Sequence, residues 1–326
     1  MNKLLYLLLI AVCWSYSQDS ETEKHQSKRD QVVDVRDKMK EFSTQDVLIG
    51  RISRTYLIDN YLIVTDYNSP DKLIHLFDKN TFEHLASSTY QGQGPDEITI
   101  IGHVGIDETN RRFFVSDHGK LKIFAYDLDS VLTTPEYQPS VKIDMKKKLF
   151  PDDYLYLNDT LCIAKIIEPI GNNDYKPSVA RWNMATGEIN PMPYEYPDLK
   201  KVRFIYAASA EHQLYDLMTI CDFNGNLKCN IYGPKWVNEK TQTQHYSLGV
   251  EFCGDKILAL YSGGDHRTDA YYPTKFLVFD LNGNYLKTLE TGYMITDFCY
   301  DKENNRLIIN LNDEIQFAYL DLEGII

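Results

Sequence analysis

One phrase recurs along the chain: a short run of alternating apolar residues, then an aromatic or apolar residue, Asp or Asn, a turn, and a second short run. In order it reads "LIHLFDKNTFEHL", "KIFAYDLDSVL", "VARWNMATGEI", "TICDFNGNLKC", "FLVFDLNGNYLKTL" and "FAYLDLEGII". Alternation at period two marks a half-buried strand, so each phrase predicts a hairpin. The turn residues Asp78, Asp127, Asn183, Asp222, Asp280 and Asp321 recur about every 49 residues, close to the repeat length of propeller blades. Two copies align closely, Asp222-Phe223-Asn224-Gly225-Asn226 with Asp280-Leu281-Asn282-Gly283-Asn284. Asn-Gly predicts a two-residue turn, because both positions tolerate positive φ.

Upstream of each phrase lies a second pair of short runs, as in "YLIDNYLIVTDY" and "VGIDETNRRFFVSD", with Asp59-Asn60, Asn158-Asp159 and Gly254-Asp255 as turn centres. Each unit is thus four strands, and six such units predict an all-β chain, a six-bladed β-propeller of four-stranded antiparallel blades. The last copy stops before a fourth strand, whereas residues 31–52 precede the first complete blade. The N-terminal segment is therefore expected to supply the outer strand of blade six, because an open ring leaves unpaired edges. Helical patterns are scarce, residues 32–42 being the best of them. An aromatic share of 13%, with 24 Tyr and 14 Phe, suits strands.

Charge narrows the partners. There are 34 Lys plus Arg against 47 Asp plus Glu, a formal charge of −13, and such a surface repels phosphate backbones and anionic head groups. This argues against nucleic acid; Lys146-Lys147-Lys148 reads as a solvated loop face. Lys3 followed by an apolar run over residues 4–14 is too short to span a bilayer but fits the core of a secretory signal. Two processing schemes compete, a cut before Gln18 and a lipobox ending at Cys13, from which Val12 departs. The expected organisation is a signal over residues 1–17, a polar linker over 18–30 and a propeller over 31–326. The mature protein is expected in the periplasm or at the cell surface, touching a membrane only through a lipid on Cys13. Cys162, Cys221, Cys229, Cys253 and Cys299 are odd in number and lack Cys-x-x-Cys spacing, so buried reduced thiols are expected.

Gly92-x-Gly94 invites a phosphate-cradle reading, but Glu97 stands where a third glycine is needed, Pro95 removes an amide donor, and a strand follows. The loop reads better as a stiff turn in which glycines allow positive φ and Glu97 bonds exposed amides. No zinc helix, nucleophile elbow, calcium loop or cofactor fingerprint is present, so neither a cofactor nor a metal is expected. The one catalytic alternative is a divalent-metal-dependent, lactonase-like hydrolase at the channel mouth, with Glu97, Glu251 and Asp297 gathered from separate blades.

Antiparallel order puts the links between blades, and between strands two and three, on one face. That face collects the loop at Gly92, Gly94 and Glu97 and two insertions over residues 167–178 and 262–275, and long loops on a rigid scaffold carry binding residues. The candidates are Asp265, His266, Arg267, Tyr271 and Tyr272, with Asn172, Asn173 and Tyr175. His103, Arg203, Glu251 and Asp297, near the starts of innermost strands, are candidates for the channel mouth. The predicted activity is binding of a protein, peptide or carbohydrate ligand through this face.

The phrase "GQGPDE" resembles the Gly-x-Gly-Pro-x-Glu signature between the first two blades of TolB-like six-bladed β-propeller lipoproteins of Gram-negative bacteria. "IYGP", residues 231–234, resembles a second phrase of that family. The similarity spans roughly residues 45–326 at the level of blades and implies fold and location more than activity.

Overall fold

A computed structural model describes residues 22–44, 47–147, 149–171, 174–192, 215–238 and 241–326. Three short strands come first: β1 (Glu23–His25), β2 (Val32–Asp34) and β3 (Lys40–Glu41). Blade one is β4 (Ser53–Ile58), β5 (Tyr61–Asp66), β6 (Lys72–Asp78) and β7 (His84–Tyr90). Blade two is β8 (Ile101–Asp107), β9 (Arg112–Asp117), β10 (Lys122–Asp127) and β11 (Ser140–Asp144). Blade three is β12 (Phe150–Asn158), β13 (Leu161–Gly171), β14 (Asp174–Asn183) and β15 (Glu188–Pro191). The described part of blade four is β16 (Leu217–Cys221) and β17 (Leu227–Tyr232). Blade five is β18 (Thr243–Cys253), β19 (Lys256–Asp265), β20 (Lys275–Asp280) and β21 (Tyr285–Glu290). Blade six is β22 (Ile295–Asp301), β23 (Arg306–Leu311) and β24 (Phe317–Asp321).

The chain is a six-bladed β-propeller. The first strands of the blades line the axis, β22 beside β4, β4 beside β8 and β8 beside β12. Apolar cores lie between neighbouring blades: Ile63, Ile74, Val104, Phe113 and Phe124 join blades one and two, while Leu62, Phe77, Ile308 and Phe317 join blades one and six. The missing fourth strand of blade six is β3, antiparallel to β24 through Ala318↔Glu41 and Tyr319↔Lys40, so the ring closes as the strand count predicts. Phe42 then stacks on Phe82 at 3.7 Å.

The polar stretch expected as a linker is, where described, built into the ring. Strand β1 runs parallel to β17, and β2 parallel to β21 as a fifth strand of blade five. The segment thus straps the outer edges of blades four, five and six in turn. Residues 32–42, the best helical pattern, form β2, a 3-10 turn over Arg36–Lys38 and β3, because each piece completes an open sheet edge.

Other expectations shift locally. Asp222 Oδ1 accepts the Asn224 and Asn226 N–H groups, and Asp280 Oδ1 those of Asn282 and Asn284. The twin loops therefore wrap around an aspartate, with only the glycine at positive φ, instead of making two-residue turns. A bulge sets Cys221 opposite Leu227 and Cys229 opposite Ile220; the five described cysteines are free. The second half of the second hairpin phrase, in blade two, becomes helix α1 (Leu128–Thr133), capped by Asp127, whose carboxylate accepts the Ser130 N–H at 2.8 Å. The described part of the insertion at 167–178 continues the β13–β14 ladder, Ile167↔Pro177 through Gly171↔Asp174, where a loop was expected.

Candidate functional site

The glycine loop is a closed structural unit. Glu97 folds back so that Oε2 accepts the Gly94 N–H at 2.7 Å, and Lys120 Nζ bonds the Gly94 and Glu97 carbonyls at 2.5 and 2.6 Å. A Cβ on Gly92 would stand 2.0 Å from that carboxylate oxygen. Neither Gly92 nor Gly94 has positive φ; the glycines are needed for space, not for backbone conformation. Behind the loop, buried Asp117 accepts the Thr99 and Ile100 N–H groups. Asp66 does the same for Gly50 N–H at 2.6 Å in blade one. These acids close the second strands of their blades and pin the incoming link, a role unremarked in the sequence although "VTD" and "VSD" repeat it.

Gly233 of the "IYGP" phrase is explained in the same way. A Cβ there would lie 2.1 Å from the carboxylate of Asp216, which is buried and paired with Arg29 of the strap at 2.9 Å. Both phrases are thus glycines making room for a carboxylate.

At the axis, side chains from several blades meet. Asp153 Oδ1 of β12 lies 2.5 Å from His103 Nδ1 of β8, and Asp153 Oδ2 lies 3.6 Å from Arg54 of β4. Burial alone would raise the Asp153 carboxyl, but His103, Arg54 and Lys165 outweigh it and hold it well below the ordinary carboxylate range. On the other side Asp297 Oδ2 accepts the Thr55 N–H at 2.6 Å and the Thr55 hydroxyl at 3.0 Å. Burial pushes Asp297 up to about 6, against the pull of Arg54 and Thr55. Burial also pushes Glu251 up to about 7, and the Asp297 charge adds to it. Glu97 does not join these two acids, its carboxylate being turned onto its own loop. Among the described residues no group of three His, Cys, Asp or Glu side chains is disposed to hold a metal ion. Arg203, Asn172 and Asn173 lie outside the described residues; Tyr175 of β14 pairs with Pro169 of β13.

Above this channel, on the face where the first strands begin, a cavity of about 790 Å³ opens between blades five, six and one. Arg51 and Arg54 approach from blade one, Tyr67 and Asn68 from its strand two to three link, Tyr271 and Tyr272 from blade five, and Asn312 from blade six. Each wall is fixed by its own chain. Tyr271 ends a 3-10 turn (Asp269–Tyr271) capped by the Thr268 hydroxyl, which accepts the Ala270 N–H. Ser262 donates to the Ala270 carbonyl at 2.7 Å, and a Cβ on Gly264 would collide with that oxygen. The Tyr271 and Tyr272 rings stack at 4.3 Å. Arg51 Nε donates to Asn312 Oδ1 at 2.6 Å, and Asn310 Nδ2 to Ser53 Oγ at 2.8 Å, so the seam between blades six and one forms the floor.

Of the insertion's candidates, Tyr271 and Tyr272 line this cavity and Asp265, His266 and Arg267 do not. Those three sit outside the lining and are partnered locally: Arg267 Nη2 pairs with Asp265 at 3.0 Å, and His266 Nδ1 meets the Gln242 carbonyl at 2.8 Å. Arg51, Asn68 and Asn312 were missed. They are short-range silent in the sequence, since Arg51 and Asn312 stand 261 residues apart and meet only on ring closure.

Comparison with known proteins agrees on the fold. A protein of Bacteroides fragilis described as exported superposes with a TM-score of 0.53 at 9% identity, over 92% of this chain and 98% of that one. A member of the DUF4221 family from Bacteroides vulgatus superposes with a TM-score of 0.52 at 12% identity, over 87% and 95%. No curated protein matches the sequence. A family model described as a 6-bladed beta-propeller, DUF5128, matches residues 22–160, from the first strand of the strap to the turn after blade three's first strand.

Proposed function

We propose that this is an exported propeller that binds a ligand on its long-link face, in the cavity at the channel mouth. One observation carries the reading: the concavity of about 790 Å³, whose aromatic, amide and guanidinium groups come from three blades, with Arg51 and Asn312 tied by a hydrogen bond and Tyr271 and Tyr272 by stacking. Its volume lies within the usual range of small-molecule sites, and a mostly apolar or aromatic wall with a few fixed polar groups is what such sites are built from. Export rests on the apolar run at residues 4–14, within residues 1–21, which lie outside the described part. The description of the Bacteroides fragilis protein is consistent with it. A TolB-like lipoprotein character rests on the two glycine phrases and on Cys13.

The test is a screen of soluble saccharides and short peptides against the full mature chain, read as saturable heat of binding. Ligands found should be lost in Tyr271→Ala with the melting curve kept and in Asn312→Ala at a small cost in Tm, since that change also removes the seam bond from Arg51, and retained in an Asp265→Ala, Arg267→Ala double variant. Binding that survives the first two substitutions and disappears in the double variant would move the site to the outer rim and refute the mouth.

A further inference from the structure

The wall of the cavity carries a charge opposite to that of the protein. The chain has a formal charge of −13, yet the residues lining the cavity include two arginines and no aspartate or glutamate. The two guanidiniums differ. Arg54 shares its charge with Asp153, 3.6 Å away, below the mouth. Arg51 is exposed, its Nε is bonded to the neutral amide of Asn312 at 2.6 Å, and among the described residues no carboxylate pairs with it. An amide fixes the planar fork without cancelling its charge, which leaves the two terminal nitrogens available to a planar anion. Beside it stand the stacked Tyr271 and Tyr272, with Tyr271 37% exposed. Part of the Tyr271 side chain is therefore open to a flat or chair-shaped ring.

We infer that the cavity takes a small molecule in which a carboxylate is attached to a ring, the carboxylate forked on Arg51 and the ring laid against Tyr271. This rests on the binding function proposed above and narrows it to one chemistry. A guanidinium and a carboxylate form two parallel charge-assisted bonds that a neutral hydroxyl cannot reproduce. The same chemistry belongs to sugar acids and to aromatic acids, and the experiment separates them.

The full mature chain is titrated calorimetrically with sodium glucuronate and its neutral counterpart glucose, and with sodium benzoate and its neutral counterpart benzyl alcohol. At least one acid binds saturably and at least tenfold more tightly than its neutral partner, with affinity falling as salt is added. Arg51→Gln weakens that acid about tenfold or more and Arg51→Lys weakens it less, both still melting in one cooperative transition although the seam bond to Asn312 is altered. Binding of glucuronate alone assigns a sugar acid, and of benzoate alone an aromatic acid. Failure of both acids to bind, a neutral partner that binds as tightly as its acid, or an Arg51→Gln variant with unchanged affinity overturns the inference. A neutral compound lost on Tyr271→Ala but not on Arg51→Gln leaves the binding function standing without the anion; a compound indifferent to both substitutions removes both.

Discussion

The pair between Arg29 and Asp216 should be the most sensitive single point in the strap. The side chains are only 7% and 0% exposed, and Arg29 Nη1 meets Asp216 Oδ1 at 2.9 Å. The other two nitrogens bond as well: Nη2 donates to the Tyr246 hydroxyl at 2.9 Å and Nε to Gln26 Oε1 at 2.8 Å, with the guanidinium 5.1 Å from the centre of the Tyr261 ring. If Arg29 is removed, Asp216 keeps, among the described residues, the Lys235 N–H at 3.1 Å and the neutral Tyr261 hydroxyl, but no positive charge. Stranding one member of a buried ion pair costs about 3–5 kcal/mol. In a domain of this size each kcal/mol lowers Tm by roughly 2–4 °C, so Arg29→Ala should melt roughly 6–20 °C below the wild type. Adding Asp216→Ala should cost much less than a second independent loss, since the stranded charge is then gone. Gly233→Ala should reproduce the defect from the other side, because its Cβ would lie 2.1 Å from the same carboxylate. Calorimetric melts of the full chain at neutral pH decide the matter. A Tm for Arg29→Ala within about 2 °C of the wild type, or strict additivity in the double variant, would refute the reasoning.

Glu97→Ala should destabilise the link between blades one and two by about 1–3 kcal/mol through the unpaired Gly94 N–H. Gly92→Ala should displace the same carboxylate, so the double variant costs no more than the worse single one in urea titrations. Phe42→Ala removes a half-buried ring stacked between Phe82 and Phe317 and should cost about 2–3 kcal/mol, measured by the same titration. The carboxyl of Glu251, at 4.5 in the unfolded chain and about 7 in the fold, holds its proton longer when folded. Its contribution to stability is fully present below the unfolded value and is lost as pH rises through the folded one. Glu251→Gln should therefore flatten the dependence of Tm on pH between about 5 and 8 and stabilise the protein most at the upper end; an unchanged slope there speaks against a buried, proton-holding carboxyl.

The blades were legible because a half-buried antiparallel strand writes its burial into every second residue, as "FLVFD" and "KIFAYD" do. The closing strand was legible from a count alone, one strand lacking at the C-terminus and one segment spare at the other end. Strands β1 and β2 were not legible, because an added edge strand is held by backbone pairing and Glu23-Lys24-His25 carries no apolar alternation. Arg29 reads in sequence as one more solvated charge; only Asp216, 187 positions away, makes it a clasp. The aspartate loops were misjudged because Asn-Gly was weighed without the Asp two positions before it, whose Oδ1 takes two N–H groups and widens the turn. At the candidate site, Tyr271 and Tyr272 could be found from link length. Arg51 and Asn312 could not, since nothing local distinguishes them.

The cavity therefore depends on ring closure, and removing the strap should affect both together. Without residues 22–44, β24 loses its partner at Ala318 and Tyr319, β21 and β17 lose their parallel additions, and Val35, fully buried, leaves the core between blades five and six. The burial of that valine alone is worth about 1.5–3 kcal/mol, and opening the sheet edges and stranding Asp216 add to the loss. The seam itself is held by Gln316 Nε2 on the Ile49 carbonyl at 3.0 Å, by Arg51 on Asn312 and by Asn310 on Ser53. These bonds bridge the two ends of the chain, and two of them form the floor of the cavity. A truncation that begins at residue 45 should accordingly melt at lower temperature and with a smaller enthalpy, and its affinity for any ligand of the mouth should fall in parallel. Affinity that persists after the melting transition has broadened would mean that blades five, six and one hold the mouth without the closing strand, and the coupling between closure and binding would be lost.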